Sequence, residues 1–193
     1  DRAARDLFVA WCREAGCTIS VDQMGNIFAR RTGVEPGLPP VLAGSHLDTQ
    51  PTGGRFDGVY GVLTGLEVIR TLNDHNIQTQ HSVEAVCWTN EEGSRFAPAM
   101  VASGVFAGVY ELDYGLARVD GDGRTMGEEL QRIGYAGSEA MGRPLHAYFE
   151  AHIEQGPILV EEGIDVRGVN VGESPSIEGE YMNLRAELWW KCR

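Results

Sequence analysis

The sequence predicts an α/β fold, with a mixed central sheet and helices on both faces, and three observations lead to this prediction. Residues 17–31 contain two short strand-like runs around a Gly25-Asn26 turn, which is typical of an antiparallel hairpin. Apolar runs starting at Val41 and covering residues 81–89 are typical of buried strands. Between them, residues 58–72 carry apolar side chains at helical spacing, which predicts a helix crossing over the sheet.

The first element is a predicted helix over residues 2–15, which ends before Gly16. Five side chains form its predicted apolar face: Ala4, Leu7, Phe8, Trp11 and Ala15. After the hairpin, residues 32–40 are rich in Gly and Pro and are expected to form a surface loop.

The second half of the chain has weaker patterns. Residues 97–119 are expected to form short helices whose bounds the sequence does not define. The segment 125–128 matches a capping box, so a helix should run to about Ile133 and stop at Gly134. A further strand is predicted over residues 145–151, followed by a helix over residues 157–162 and one more strand over 164–171.

Composition narrows the classes of function. No apolar run is long enough to span a bilayer, and a net charge of -12 repels phosphate backbones, so neither a membrane nor a nucleic acid is an expected partner. The four cysteines contain no C-x-x-C pair, which fits a reducing compartment. The first residues do not match the pattern of an export signal, so we expect a cytoplasmic location.

Three predicted strands end in side chains that can bind a metal ion. His46 and Asp57 follow the first strand, Glu91 and Glu92 the second, and His152 the third. In open α/β sheets ligands bind beyond the carboxyl ends of strands, and these nitrogen and oxygen donors suit zinc or a similar divalent ion. Each loop alone is more typical of an ordinary polar turn, but their combination favours a metal site.

The residue types also suggest roles within such a site. Asp48 is placed to orient the ring of His46, and Asp57 is the best candidate to bridge two ions about 3.5–4 Å apart. Glu91 and Glu92 are adjacent and point in different directions, so one can bind metal while the other acts as a general base. This division of roles is suited to hydrolysis.

Competing motifs are weak. The glycine-rich segment 53–61 lacks the lysine of a phosphate-binding loop and carries an acid where phosphate would bind, which disfavours a nucleotide-binding module. Ser45 and Ser103 lack the G-x-S-x-G context of a serine hydrolase. The segment 120–126 begins like a calcium loop but has Arg124 and Met126 at ligand positions, so we interpret it as a turn.

Four motifs in order resemble the N-carbamoyl-L-amino-acid hydrolase group, which includes β-ureidopropionase and allantoate amidohydrolase. This group lies within the dinuclear zinc peptidase and aminoacylase superfamily. The motifs are Gly44-Ser45-His46-Leu47-Asp48-Thr49, Gly54-Arg55-Phe56-Asp57-Gly58, Thr89-Asn90-Glu91-Glu92-Gly93-Ser94-Arg95-Phe96 and His152-Ile153-Glu154-Gln155-Gly156-Pro157.

The resemblance implies a role for each matching residue. His46, Asp57 and His152 would hold one ion, and Asp57 and Glu92 the other. Glu91 would be the catalytic base that activates a metal-bound water. The resemblance further implies that Asp48 orients the metal ligands without binding metal itself and that Gln155 contacts substrate. Two divalent ions (Zn, Mn or Co) are expected in the complete enzyme. Members of the group cleave a carbamoyl or ureido C–N bond and release ammonia and carbon dioxide.

The resemblance covers residues 1–171, which we interpret as the N-terminal part of the metallohydrolase catalytic domain. Complete members of the group are expected to be homodimers with an inserted lid domain and a late metal-binding histidine, and neither feature occurs in this sequence. Residues 172–193 diverge, which a frameshifted or truncated reading frame would explain. The expected function is therefore a metal-dependent amidohydrolase of N-carbamoyl amino acids or allantoate. The alternative is a catalytically inactive remnant that binds one ion or none tightly.

Overall fold

A computed structural model describes residues 2–153, 155–156 and 158–163 of the chain. The elements in chain order are α1 (Arg2–Glu14), β1 (Thr18–Val21), β2 (Ile27–Arg31), β3 (Val41–His46), α2 (Asp57–Asp74), β4 (Val83–Trp88), α3 (Val101–Phe106), α4 (Leu112–Leu116), α5 (Met126–Ile133), β5 (Ala147–Phe149) and α6 (Ile158–Glu161). The strand predicted at 164–171 and the segment 172–193, which was expected to diverge, lie outside the described residues.

The five strands form one mixed sheet in the order β1-β2-β4-β3-β5. β1, β2 and β4 pair antiparallel, whereas β3 pairs parallel with both β4 and β5. The predicted hairpin and mixed sheet are confirmed. Because β3, β4 and β5 run in the same direction, their carboxyl ends meet at one edge of the sheet.

Helix α2 is the predicted crossover between β3 and β4. It buries one apolar side through Val62, Leu66 and Ile69. Every residue of β4 is buried, as expected of a strand covered on both faces. Gly65 lets the helix approach closely, since a Cβ at that position would collide with the backbone of Ala43.

The two faces of the sheet carry separate apolar clusters. The larger cluster joins α1 and α2 to β-strand residues such as Ile27, Ala29 and Ala85. On the opposite face, Phe28, Leu42, Val86, Trp88 and Tyr148 pack against Phe106 at the end of α3. Within the described residues no helix is long and apolar enough to cross a membrane.

The predicted apolar face of α1 is wrong in part. Its buried side consists of Arg5, Phe8, Val9 and Cys12, whereas Leu7 is 48% exposed. Arg5 can be buried because its guanidinium donates to the carbonyl oxygen of Gly25 at 2.7 Å and to Oγ1 of Thr89 at 3.0 Å. A count of apolar residues alone could not assign an arginine to the buried face.

Other boundaries differ slightly from the sequence predictions. The strand predicted over 145–151 is only three residues long, because its pairing with β3 ends at Phe149. The last described helix covers Ile158–Glu161, so it ends one residue before the predicted end at Glu162, and Pro157 lies outside the described residues. The capping box is confirmed, with Thr125 and Glu128 bonded to each other's backbone amides, and Gly134 ends α5 in the left-handed conformation.

Candidate metal centre

The predicted metal-binding residues come together at the edge where the parallel strands end. His46 is the last residue of β3, and Asp57 is the first residue of α2. Glu91 and Glu92 follow β4, and His152 follows β5. The location agrees with the general rule that ligands of open α/β sheets bind beyond the carboxyl ends of strands.

Two glycines in α2 allow the helix to press against this edge. A Cβ at Gly58 would overlap the ring of His46, and one at Gly61 would meet Ser45 Cβ at 2.6 Å and the carbonyl oxygen of Ala151 at 2.7 Å. Their lack of a side chain brings Asp57 into the site, where only 2% of its surface is exposed.

The donor atoms form two overlapping groups. One consists of His46, Asp57 and His152, and the other of His46, Glu91 and Glu92; within each group the atoms lie within 4.8 Å of one another. Nε2 of His152 is 2.7 Å from Oδ1 of Asp57, and Nε2 of His46 is 3.4 Å from Oε2 of Glu91.

The orientation of both imidazole rings fits a bound cation. Nδ1 of His46 lies 2.8 Å from the carbonyl oxygen of Asp48, and Nδ1 of His152 lies 2.7 Å from that of Ile153. A carbonyl can only accept, so each Nδ1 carries a proton, and Nε2 of a neutral ring presents a lone pair toward a carboxylate. Both Nε2 atoms are buried, and within the described part of the chain neither has a hydrogen-bond partner of suitable geometry.

When the ring of His152 is neutral, its Nε2 and Oδ1 of Asp57 are both acceptors. At 2.7 Å they repel each other unless a proton or a metal ion lies between them. Oδ1 of Asp57 is likewise buried without a hydrogen bond among the described residues. Histidine held through Nδ1 by a carbonyl is also the usual arrangement of metal ligands. The donor set therefore fits a divalent ion bound by imidazole nitrogen and carboxylate oxygen.

Charge around His46 shows how the site behaves without an ion. Burial alone would lower the pKa of His46, but the hydrogen bond with Asp48 and the negative charge of Glu91 outweigh it and raise the pKa to about 9. For Asp48, burial tends to raise the pKa, while His46 and the amides of Glu92 and Glu91 hold it below its usual value. A proton on His46 thus supplies positive charge at this site when no metal ion is bound.

Asp48 lies beside His46, as expected, and makes a second set of contacts. Its carboxylate accepts hydrogen bonds from the backbone amides of Glu91 at 3.1 Å and of Glu92 at 3.0 Å. The carboxylate oxygen is 3.6 Å from Nδ1 of His46, farther than the carbonyl oxygen of the same residue. Asp48 therefore connects the end of β3 to the loop that carries both glutamates.

Two glutamines also contact the carboxylates of the site. Gln155 donates a hydrogen bond to Oδ2 of Asp57, so it lies at the centre itself. Gln50 donates to Oε2 of Glu92 at 3.2 Å. Gln50 was not among the residues predicted from the sequence, although its position in the loop between His46 and Asp57 indicated a possible contact with the site.

The two groups share His46, whereas Asp57 is the residue predicted from the sequence to contact both ions. One imidazole nitrogen has a single lone pair and can serve only one ion, while a carboxylate has two oxygens and can bridge. Bridging by Asp57 therefore stays a prediction. The other histidines lie elsewhere, with His81 and His146 stacked on each other at 4.0 Å between ring centroids.

The fold and the donor set define an α/β protein with a candidate metal centre at the strand ends of its sheet. A family model described as peptidase family M20/M25/M40 matches residues 42–188, and the chain belongs to that family. The resemblance found in the sequence is thereby confirmed.

Three relatives illustrate the similarity. An N-carbamoyl-L-amino-acid amidohydrolase of Rhizobium meliloti is 60% identical over 163 residues, covering 84% of this chain and 39% of the relative. A ureidoglycolate hydrolase of Arabidopsis thaliana is 37% identical over 172 residues, covering 84% and 36%. A crystal structure of an amidase of the hydantoinase/carbamoylase family from Burkholderia multivorans superposes with a TM-score of 0.83 at 70% identity, covering 84% of this chain and 40% of that one. The chain thus spans about 40% of the length of the relatives it matches.

Proposed function

We propose that the complete protein is a metal-dependent amidohydrolase that acts on N-carbamoyl amino acids or on allantoate. The observation that carries the proposal is the group of His46, Asp57 and His152, whose donor atoms face one another without hydrogen bonds of suitable geometry. The names of the relatives, which refer to N-carbamoyl amino acids and ureidoglycolate, support a linear ureido substrate.

In this proposal His46, Asp57 and His152 hold one ion, and Asp57 and Glu92 contribute to a second. A divalent ion held by these residues would supply positive charge, which lowers the pKa of a water molecule and polarises a substrate carbonyl. The buried side chains of His46, Asp57 and Glu91 would fix the position of that charge.

Glu91 is the proposed general base. Its Oε2 lies 3.4 Å from Nε2 of His46, beside the expected ion, and Asp48 holds its backbone amide. Glu91 takes a proton from water as the oxygen attacks the carbamoyl carbon, and it delivers that proton to the leaving nitrogen as the C–N bond breaks. The carbamic acid so formed decomposes to ammonia and carbon dioxide, while the amino acid leaves with its free amine.

Gln155 is proposed to contact substrate as well as Asp57. Its side-chain amide donates to Oδ2 of Asp57, so its carbonyl oxygen is left to accept a hydrogen bond from a ureido N–H. The complete protein is proposed to be a homodimer that binds two divalent ions.

A second candidate is an inactive chain that binds a single ion. The observation that favours it is that the two donor groups of the described residues share His46, which can bind only one ion through Nε2. Elemental analysis of the purified protein, followed by assays of ammonia release from N-carbamoyl amino acids and allantoate with added zinc, manganese or cobalt, tests both candidates. Binding of metal without hydrolysis, in a version extended to the length of the relatives, would favour the second. Absence of metal from both the 193-residue chain and the extended protein would rule out a metal-dependent amidohydrolase.

A further inference from the structure

A hydrogen-bonded group of side chains joins the ends of three strands next to the candidate metal centre. We name it the strand-end network; its members are Ser45, Trp88, Tyr148 and Glu150. Nε1 of Trp88 donates to the hydroxyl of Tyr148 at 3.0 Å, and that hydroxyl donates to Oε2 of Glu150 at 2.6 Å. The hydroxyl of Ser45 donates to Oε1 of the same carboxylate. Glu150 is therefore held through both oxygens.

Each strand in this network leads into a residue of the metal centre. Ser45 directly precedes His46, and Trp88 ends β4 just before the glutamate loop. Trp88 also lies opposite His46 in the parallel register. Glu150 lies two residues before His152. The network thus connects the ends of β3, β4 and β5 at the level where the metal-binding residues begin.

Backbone pairing does not reach the segment that carries His152. The β3–β5 ladder ends with Ala43 opposite Phe149. Beyond that point the hydrogen bond from Ser45 to Glu150 continues the connection between the two strands. Ser45 is fully buried, so it supplies a fixed anchor for the carboxylate.

We propose that Glu150 is a positioning residue for His152. By holding residues 150–152 against β3, it brings Nε2 of His152 to the 2.7 Å contact with Oδ1 of Asp57. It acts through His152 and does not touch the ion or the substrate. The inference rests on the proposed function only in requiring that a divalent ion binds at His46, Asp57 and His152.

The test is Co²⁺ binding by the 193-residue chain, measured by calorimetry and by the visible absorption of bound Co²⁺. We expect Glu150→Ala to weaken binding by about 10- to 100-fold, the range for loss of a group that orients a metal ligand. The Co²⁺ affinity of Glu150→Gln should stay within about threefold of that of the parent chain. The glutamine amide can still accept a hydrogen bond from the hydroxyl of Ser45 and donate one to the hydroxyl of Tyr148. The hydroxyl of Tyr148 can then donate to the carbonyl oxygen of Gly44, which lies at 3.2 Å.

Glu84→Gln is the matched control. Glu84 is a 2%-exposed carboxylate of the same sheet, held by Arg30 and Arg143 away from the strand ends. It should lower the melting temperature while leaving the Co²⁺ affinity of the folded chain unchanged. If Glu150→Ala does not fold, Ser45→Ala removes only one of the two hydrogen bonds and should weaken Co²⁺ binding several-fold.

Three results would overturn the proposal. Equal losses in the Ala and Gln variants would mean that the charge of Glu150 matters rather than its position. Unchanged affinity at a lower melting temperature would mean a structural role only. A crystal structure of metal-free Glu150→Ala that keeps the contact between His152 and Asp57 would also contradict it. If the parent chain binds Co²⁺ and Glu150→Ala weakens it, but the extended protein hydrolyses no ureido substrate, the proposed function fails and the positioning role stands.

Discussion

Nε2 of His152 lies 2.7 Å from Oδ1 of Asp57, and the ring is held through Nδ1 by a backbone carbonyl. The other oxygen of Asp57 accepts from Gln155. Asp57 therefore has one oxygen facing the candidate ion and a second oxygen fixed by an amide. Asp57 is also the first residue of α2, where the helix dipole favours negative charge.

We predict that Asp57→Ala removes metal binding more completely than His46→Ala or His152→Ala. The reason is that Asp57 is the residue proposed to contact both ions, and each histidine only one. Metal content per folded chain, measured by elemental analysis after dialysis against a metal-buffered solution, checks this. Equal retention in all three variants would show that Asp57 does not bridge.

The two glutamates should respond differently in a version of the protein extended to the length of its relatives. Glu91→Gln should keep its metal and lose about 10²- to 10⁴-fold in turnover, as expected for removal of a general base. Glu92→Gln should instead lose metal. Steady-state kinetics with parallel metal analysis distinguishes the roles, and the opposite pattern would mean that they are exchanged.

Metal affinity should rise with pH. The pKa of His46 is raised from 6.5 to about 9, so without metal its contribution to stability is complete below pH 6.5 and is lost as the pH rises through about 9. An ion must displace this proton, so between these values the affinity should increase up to about tenfold per pH unit. Calorimetric titration with Co²⁺ at pH 7, in two buffers of different ionisation enthalpy, should show release of about one proton. An affinity that is independent of pH from 6.5 to 8 would contradict protonation of His46 in the metal-free protein.

Gly58→Ala should damage the site although Ala favours helices. Its Cβ would overlap the ring of His46, so we expect a loss of about 1–3 kcal/mol in stability and weaker Co²⁺ binding. Gly37→Ala is the control, because no atom lies within 4 Å of its added Cβ. Thermal melts and Co²⁺ titrations of the two variants check this, and identical behaviour would mean that α2 can shift without cost.

The 193-residue chain itself should bind about one divalent ion weakly and release no detectable ammonia from N-carbamoyl substrates or allantoate. The two donor groups of the described residues share His46, so a second ion would lack a full set of ligands. Metal titration and a sensitive ammonia assay measure both properties. Substantial turnover would show that the rest of the relatives' length is dispensable for catalysis.

Much of the architecture follows from local patterns in the sequence. The Gly25-Asn26 turn between two short strand-like runs identified the hairpin, and helical spacing identified α2, because burial of one side of a helix selects that period. The capping box at Thr125 fixed the start of α5 through its own hydrogen bonds. The gathering of His46, Asp57, Glu91, Glu92 and His152 followed from the parallel direction of three strands.

Features that depend on partners distant in the sequence were not predictable in the same way. Arg5 is buried only because Gly25 and Thr89 supply acceptors from other elements. The double contact of Asp48 with the amides of Glu91 and Glu92 depends on how two loops meet. The role of Glu150 was partly visible, since Tyr148, Glu150 and His152 alternate along the chain, but Ser45 lies 105 residues away.

That separation bears on the order in which the chain folds. His46 and Asp57 lie close together in the sequence, whereas bringing Ser45 to Glu150 closes a segment of 105 residues. Loop-closure entropy grows with the logarithm of length, so a tenfold longer loop costs about 2 kcal/mol more to close. Contacts of this range form late in chains rich in local structure. The arrival of His152 should therefore be among the last events of folding, and the appearance of the visible absorption of bound Co²⁺ in a refolding experiment should report its completion.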